Sequence, residues 1–193
     1  MSDGIVAGDF NGDGKLDIVI FQFSTTANKW VSVSTLMGNG DGTFQPPQVI
    51  ATVNGEQPCG FQLGPLRISD FNGDGNPDLS FCTDSQIGVL LGNGDGTFKS
   101  PIFTTAGVNR LFTYTVADIN SDGNPDLLVS QYDQTNNPQF VAFLGDGTGS
   151  FQPERIALPS VAGTELGLMT GDFNSDGLVD IGFPDQGLEI FVQ

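Results

Sequence analysis

Histidine is absent from the 193 residues of this chain. Its absence removes histidine-based catalytic triads and the common zinc and copper ligand sets, which depend on imidazole. Basic residues are scarce too: 6 Lys and Arg stand against 23 Asp and Glu, for a net charge of −17. So negative a chain opposes nucleic acid and anionic membrane surfaces, both of which require a positive face. No apolar run reaches the length of a membrane-crossing helix, so no membrane insertion is expected. Met1 leads directly into polar Ser2 and Asp3, without the apolar stretch of a secretory leader; an exported form would have had its signal removed or replaced. Cysteine is limited to Cys59 and Cys82, which leaves open either one disulfide within a repeat or two buried thiols.

Glutamate is nearly missing. Glu56, Glu154, Glu165 and Glu189 are the whole set, and a glycosidase or lyase would need two carboxylates held together as acid and base. No motif brings two of them together, so each reads as a solvated surface acid and no enzyme is expected. Large aromatic platforms for sugars are also few. Trp30, Tyr114 and Tyr132 are available beyond phenylalanine, none at a repeating position, and each reads first as a strand or rim residue.

What is present is patterned. Sixteen Phe and 38% hydrophobic residues supply core material that a disordered acidic chain would lack. Of the 23 acids, 23 − 4 = 19 are Asp, and there are 27 Gly and 11 Pro. Short acids with many turn residues point to an all-β, turn-rich chain.

The acids recur in one motif. DFNGDGKLD runs from Asp9 to Asp17, DFNGDGNPD from Asp70 to Asp78, DINSDGNPD from Asp118 to Asp126, and DFNSDGLVD from Asp172 to Asp180. The copies start 61, 48 and 54 residues apart. A second motif interleaves with them: LMGNGDGTF ends at Phe44, LLGNGDGTF at Phe98 and FLGDGTGSF at Phe151. Apolar runs flank each Asp loop, Ile5–Ala7 and Leu66–Ile68 before, Ile18–Phe21, Leu79–Phe81, Leu127–Val129 and Ile181–Phe183 after. Apolar residues at consecutive positions predict strands covered on both faces. Third strands follow at Val31–Val33 and Val141–Leu144, and fourth strands at Gln48–Val53 and Pro101–Thr105. Asp41-Gly42 and Asp95-Gly96 suggest tight hairpins between them.

Four antiparallel strands in about 50 residues, repeated, is the sequence form of a β-propeller blade. The expectation is therefore a single repeat domain over 1–193, with blades at about 1–55, 60–106, 108–158 and 162–193, the last incomplete. A final strand at Gly187–Gln193 would leave unpaired backbone groups, a template for further pairing. Such an edge implies self-association or a place in a longer propeller.

The pattern DxNxDGxxD sets oxygen-bearing side chains at positions one, three, five and nine. Calcium accepts six to eight oxygen ligands in irregular geometry and suits such a set; magnesium, held to a strict octahedron, suits it less. In the first loop the ligands would be Asp9, Asn11, Asp13 and Asp17, with the Lys15 carbonyl at position seven. Gly14 allows the sharp turn. Like charges crowded together repel by roughly 4 kcal/mol per pair at 4 Å and an effective dielectric of 20, so a loop without a cation should splay or hold protons. Twelve of the 23 acids lie in the four loops; four bound calcium ions would bring the charge to −17 + 8 = −9. An EF-hand is excluded, because its loop needs Glu at position twelve and a following helix. Position twelve here holds Ile20, Phe81, Val129 and Phe183. Dockerin loops lead into helices and fail the same test.

On these residues the chain resembles the FG-GAP/VCBS repeat family, relatives of the integrin α-subunit propeller. The four DxNxDGxxD loops and the turns at Gly40, Gly94 and Gly145 carry the resemblance. It implies calcium in the hairpin between the first two strands of each blade. The implied ligands in the second loop are Asp70, Asn72, Asp74 and Asp78, with the Asn76 carbonyl. In the third they are Asp118, Asn120, Asp122 and Asp126 with the Asn124 carbonyl, and in the fourth Asp172, Asn174, Asp176 and Asp180 with the Leu178 carbonyl. Integrin propellers have seven blades and this chain fewer than four, a departure that bears on ring closure and on any integrin-like ligand face. The resemblance implies an extracellular or cell-surface location, with a protein or glycan partner there. The expected function is a calcium-rigidified structural or adhesion module; a carbohydrate-binding propeller is the alternative.

Overall fold

In the computed structural model the described residues are 4–24, 30–54, 59, 66–106, 110–132, 138–154, 168–184 and 188–191, and they contain strands but no helix. Blade 1 comprises β1 (Gly4–Gly8), β2 (Asp17–Ser24), β3 (Trp30–Leu36) and β4 (Gln48–Asn54). Blade 2 comprises β5 (Arg67–Ser69), β6 (Asp78–Cys82), β7 (Gln86–Leu90) and β8 (Ile102–Thr105). Blade 3 comprises β9 (Arg110–Ala117), β10 (Asp126–Tyr132), β11 (Pro138–Gly145) and β12 (Phe151–Glu154). Blade 4 has β13 (Met169–Gly171), β14 (Asp180–Pro184) and β15 (Leu188–Phe191). Each sheet is antiparallel and pairs its strands in chain order.

The sheets are separate, and their first strands stand side by side: β1 beside β5, β5 beside β9, β9 beside β13. Sheets that radiate from adjacent inner strands and stack face to face are propeller blades. No single core results. One apolar cluster joins Phe10, Val19, Phe21, Val31 and Val33 of blade 1 to Leu66, Leu79, Phe81 and Leu90 of blade 2. A second joins Phe71, Ile87, Val89 and Leu91 of blade 2 to Leu111, Leu127, Val129, Val141 and Phe143 of blade 3. A third joins Leu128, Phe140 and Ala142 of blade 3 to Ile181 of blade 4.

These clusters explain the consecutive apolar runs. Counting from the last Asp of each loop, the first and third following residues face the preceding blade; Leu79 and Phe81, for example, meet blade 1. The second and fourth face the next blade, as Leu128 and Cys82 do. Strands β6 and β10 are accordingly buried along nearly their whole length. In β2 only alternate residues are buried: Val19 and Phe21 are covered, whereas Ile18 and Ile20 are half-exposed. Blade 1 thus has one covered face and one open one.

The turns differ from the tight hairpins suggested by Asp41-Gly42 and Asp95-Gly96. The connection from β3 to β4 is a wider loop closed by a bridge between Gly38 and Phe44, and Gly92 with Phe98 repeats it in blade 2. Asp41 Oδ1 accepts both the Thr43 N–H at 2.9 Å and the Thr43 hydroxyl at 2.6 Å, which builds a local turn ahead of β4. The positive φ angles fall on Gly40 and Gly42 on either side of Asp41, at 82° and 88°.

Cys59 and Cys82 are joined in a disulfide, with Cα atoms 5.4 Å apart and a sequence separation of 23. A cross-link of that span stabilises by about 3 kcal/mol in the chain-entropy account. Between blades 2 and 3 lies a polar cluster. The hydroxyl of buried Tyr114 is 2.9 Å from Ser80 Oγ. Arg67 donates to the Tyr114 carbonyl at 3.3 Å and sits 5.6 Å above its ring. Burial pushes the ionisation of the Tyr114 phenol far above the ordinary 10.0, against smaller opposing effects of Ser80 and Arg67.

A neutral phenol held in the fold gives a sign to alkaline stability. Below pH 10 both folded and unfolded states keep the proton, so nothing changes. Above it the unfolded chain loses the proton while the fold holds it, and stability falls as pH rises. We expect denaturant midpoints to drop above about pH 10, and Tyr114→Phe to flatten that drop. At neutral pH the same substitution should cost about 1 kcal/mol, because Ser80 loses a buried partner.

Candidate metal centre

The four DxNxDGxxD loops join the first and second strands of their blades, and they share one hydrogen-bond scheme. At position one, Asp70 accepts the Asp74 N–H at 3.1 Å on Oδ1 and the Gly75 N–H at 2.9 Å on Oδ2. Asp9, Asp118 and Asp172 bind the equivalent N–H groups of Gly14, Gly123 and Gly177 at 2.8, 2.9 and 3.0 Å. At position three, Asn11, Asn72, Asn120 and Asn174 each accept the position-five N–H through Oδ1, at 2.9 to 3.1 Å. Position five then accepts the N–H of position seven. Asp13 takes it from Lys15 at 2.9 Å, and Asp74, Asp122 and Asp176 take it from Asn76, Asn124 and Leu178 at 2.8 Å.

Position nine plays a separate role. Asp17, Asp78, Asp126 and Asp180 are fully buried. Through Oδ2 each accepts the N–H of the position-two residue: Phe10 at 3.0 Å, and Phe71, Ile119 and Phe173 at 2.8 Å. Through Oδ1 the first three accept an N–H from the end of the third strand, from Gly38 at 2.8 Å and from Gly92 and Gly145 at 2.7 Å. One buried carboxylate therefore ties the start of the Asp loop to the start of the second motif.

Sequence reasoning missed the contact those three glycines make with the buried carboxylate. A Cβ on Gly38, Gly92 or Gly145 would run into the carbonyl oxygen of Leu16, Pro77 or Pro125, the position-eight residues. The signal was the constant glycine at the third position of each second motif, but period alone does not reveal which loop it touches. Position two was missed as well. Phe10 packs its ring 5.8 Å from Phe98 of the next blade, and Phe71 packs 5.8 Å from Phe151. The Gly96 N–H also donates to the Phe10 carbonyl at 2.9 Å, so the second motif of blade 2 rests on the Asp loop of blade 1.

The electrostatics divide by position. Backbone N–H donors, first of all that of position seven, hold Asp13, Asp74 and Asp122 below the usual carboxylate range. Burial pushes Asp78 and Asp126 above it, opposed by their backbone donors. Repulsion adds to the rise, from Asp74 and Asp70 on Asp78 and from Asp122 on Asp126. Raised values were expected from crowding; in Asp78 and Asp126 burial is the larger cause, and in the position-five acids hydrogen bonds reverse the sign.

Among the described residues no three acidic side chains converge on one point as an assembled metal cluster. The oxygens of positions one, three and five are directed to loop N–H groups. At position five the second oxygen takes a further donor: Lys15 Nζ at 3.2 Å on Asp13, and Asn72, Asn120 and Asn174 amides at 2.8 to 2.9 Å on Asp74, Asp122 and Asp176. The donor chemistry nevertheless fits a hard dication. Every donor is an oxygen, and a carboxylate that accepts one hydrogen bond per oxygen keeps further lone pairs.

The fold and these loops define the class first: an all-β repeat protein whose blades each carry an acidic loop between the first two strands. The sequence profile of the FG-GAP-like repeat matches residues 70–129 and 118–183, and the chain belongs to that family. Among solved structures it is similar to a lectin from Agrocybe aegerita, described for recognition of non-reducing terminal N-acetylglucosamine. The identity is 18% and the TM-score 0.54, over 94% of this chain and 60% of the lectin, so this chain spans less than two thirds of that protein's length. It also aligns with part of a Photorhabdus luminescens Tc holotoxin pore at 16% identity and a TM-score of 0.48, over 97% of this chain and 11% of that one. No curated protein sequence matches.

Two consequences can be measured. Asp78→Ala strands the buried N–H groups of Phe71 and Gly92 and should cost about 2–4 kcal/mol even in chelator. Asp74→Ala, on the exposed side of the same loop, should leave chelated stability nearly unchanged. Denaturant titration of the two variants separates these roles. At position four, Ser121 and Ser175 adopt φ of 60° and 66° where loops 1 and 2 carry Gly12 and Gly73. Ser121→Gly should therefore raise the melting temperature, by an amount matching about 0.5–1 kcal/mol.

Proposed function

We propose that this chain is an extracellular structural and adhesive repeat module whose four Asp loops bind calcium and are stiffened by it. The observation that carries the reading is the repetition of one oxygen-only donor scheme in all four loops, each anchored at its base by a buried carboxylate. The side chains that would hold the ion are those of positions one, three, five and nine, with the position-seven carbonyl. Calcium would supply the positive charge that lets those acids lie close.

The chain's own residues determine what that stiffening reaches. Asp17, Asp78 and Asp126 connect each loop to the second motif of the same blade, and the Gly96 to Phe10 contact connects loop 1 to blade 2. A loop drawn tight therefore braces strand ends in its own blade and the seam with the next. The disulfide supports an oxidising, extracellular setting. A protein or glycan at the cell surface is the proposed partner class. Tyr114 offers no sugar platform, since it is buried between blades, and Tyr132 packs edge-on against Phe112 at 4.7 Å.

At calcium near ten times the dissociation constant, four independent sites would add about 5–6 kcal/mol. Calorimetric melting in millimolar calcium and in chelator should show that difference as a large rise in melting temperature. Native mass spectrometry should count up to four ions, and Asp74→Ala should remove one of them. A chain that melts identically in calcium and chelator, and carries no ion, would refute the proposal.

A further inference from the structure

Loops 1 and 2 are near twins. DFNGDGKLD and DFNGDGNPD differ only at positions seven and eight, where Lys15 and Leu16 stand for Asn76 and Pro77. Loop 3 also has an asparagine at position seven, Asn124, and loop 4 has Leu178. Lys15 is the one charged side chain at that position. Loop 1 therefore carries −3 + 1 = −2, where loops 2 and 3 carry −3.

That charge sits on a donor oxygen. In loops 2, 3 and 4, Oδ2 of the position-five acid accepts a neutral amide N–H from position three: Asn72 to Asp74 and Asn120 to Asp122 at 2.9 Å, and Asn174 to Asp176 at 2.8 Å. In loop 1 the same oxygen of Asp13 accepts from the Lys15 ammonium at 3.2 Å. The Asn11 amide is turned away and donates to Met37 Sδ at 3.8 Å. The lysine stem is placed as well. A Cβ on Gly40 of the second motif would lie 2.9 Å from Lys15 Cδ and 3.3 Å from its Cγ and Cε. Asn76 and Asn124 lie likewise over Gly94 and Gly147. Each second motif thus backs the position-seven side chain of its own blade, and in blade 1 it backs a cation.

We propose that Lys15 tunes loop 1 to a weaker calcium affinity than loops 2 and 3, so that those two fill before it. The inference rests on the calcium reading above and adds an order of filling to it. A neutral amide rotates off Asp74 or Asp122 at little cost when a dication arrives. An ammonium has to be displaced from a charge-assisted hydrogen bond. Its stem then keeps it within a few ångströms of the ion, where like charges repel. As an exposed ion pair the contact adds little to stability; its effect is on what else the loop admits. Lys99 gives loop 2 no equivalent, since it bears on Asp74 only through its field and less than any other group there.

Hydrogen–deuterium exchange followed by mass spectrometry, over a titration from chelator to excess calcium, reads each loop in its own peptides. In the parent, loop 1 should gain protection at roughly tenfold more calcium than loops 2 and 3. Lys15→Asn supplies the residue that loop 2 carries and should bring loop 1 into their range. Lys15→Arg keeps the charge and should leave loop 1 weak. Both change an exposed side chain, so circular dichroism should show both folded. Native mass spectrometry should count the full set of ions on Lys15→Asn at lower calcium than on the parent. A parent whose loop 1 fills together with loops 2 and 3 would overturn the proposal. So would a Lys15→Asn chain with its loop 1 midpoint unmoved, or a Lys15→Arg chain that behaves as Lys15→Asn does. Those three results leave calcium binding intact, because ions are still counted. A chain with no ion on any loop would overturn both.

Discussion

The buried position-nine carboxylate is the contact on which the rest of each blade depends. Asp78 is fully buried, and it takes an N–H from Phe71 on one oxygen and from Gly92 on the other. Burying a carboxylate is costly unless charge-assisted hydrogen bonds replace its hydration. Here they do so by fastening two chain segments that would otherwise have unsatisfied N–H groups at a strand end. Because Asp17 and Asp126 repeat the arrangement, the distance from Asp loop to second motif is held alike in blades 1 to 3.

That contact also sets how blades meet. With the loop fixed, position two points its ring toward the neighbouring blade, and the second motif of that blade arrives beneath it, as Phe10 and Phe98 show. The apolar clusters then fill the space between sheets from both sides. Stability in such an array is shared between intrinsic blade folding and nearest-neighbour junctions, much as in other repeat proteins. Blade 2, covered on both faces, has its second strand wholly buried, and blade 1 shows the alternating exposure of a half-covered sheet.

The acidity of the loops has a double effect. Asp74 and Asp122 are stabilised as anions by backbone donors, whereas Asp78 and Asp126 are penalised by burial and by their acidic neighbours. The loop thus concentrates negative charge on one exposed side while a buried carboxylate closes it below. Under the calcium proposal, a dication at the exposed side would relieve that repulsion.

Much was legible in the chain's order of residues. The period of the Asp loops, the paired apolar runs and the recurring glycines were enough to read the chain as repeated blades of four antiparallel strands, because strand periodicity and turn chemistry are local. The oxygen positions of each loop were legible for the same reason, lying within nine residues of one another. Non-local matters were settled by tertiary structure alone. Gly38 lies 21 residues from Asp17, and only the fold shows that its N–H reaches that carboxylate and that no side chain would fit there. Likewise Tyr114, which reads from sequence as a strand or rim residue, could not be sorted into core or surface until blades 2 and 3 were packed together. The sequence by itself determined the repeat and the order of oxygen-bearing residues in each loop; the stacking of blades decided which of them are buried and which are exposed, since burial is a property of neighbours distant in the chain.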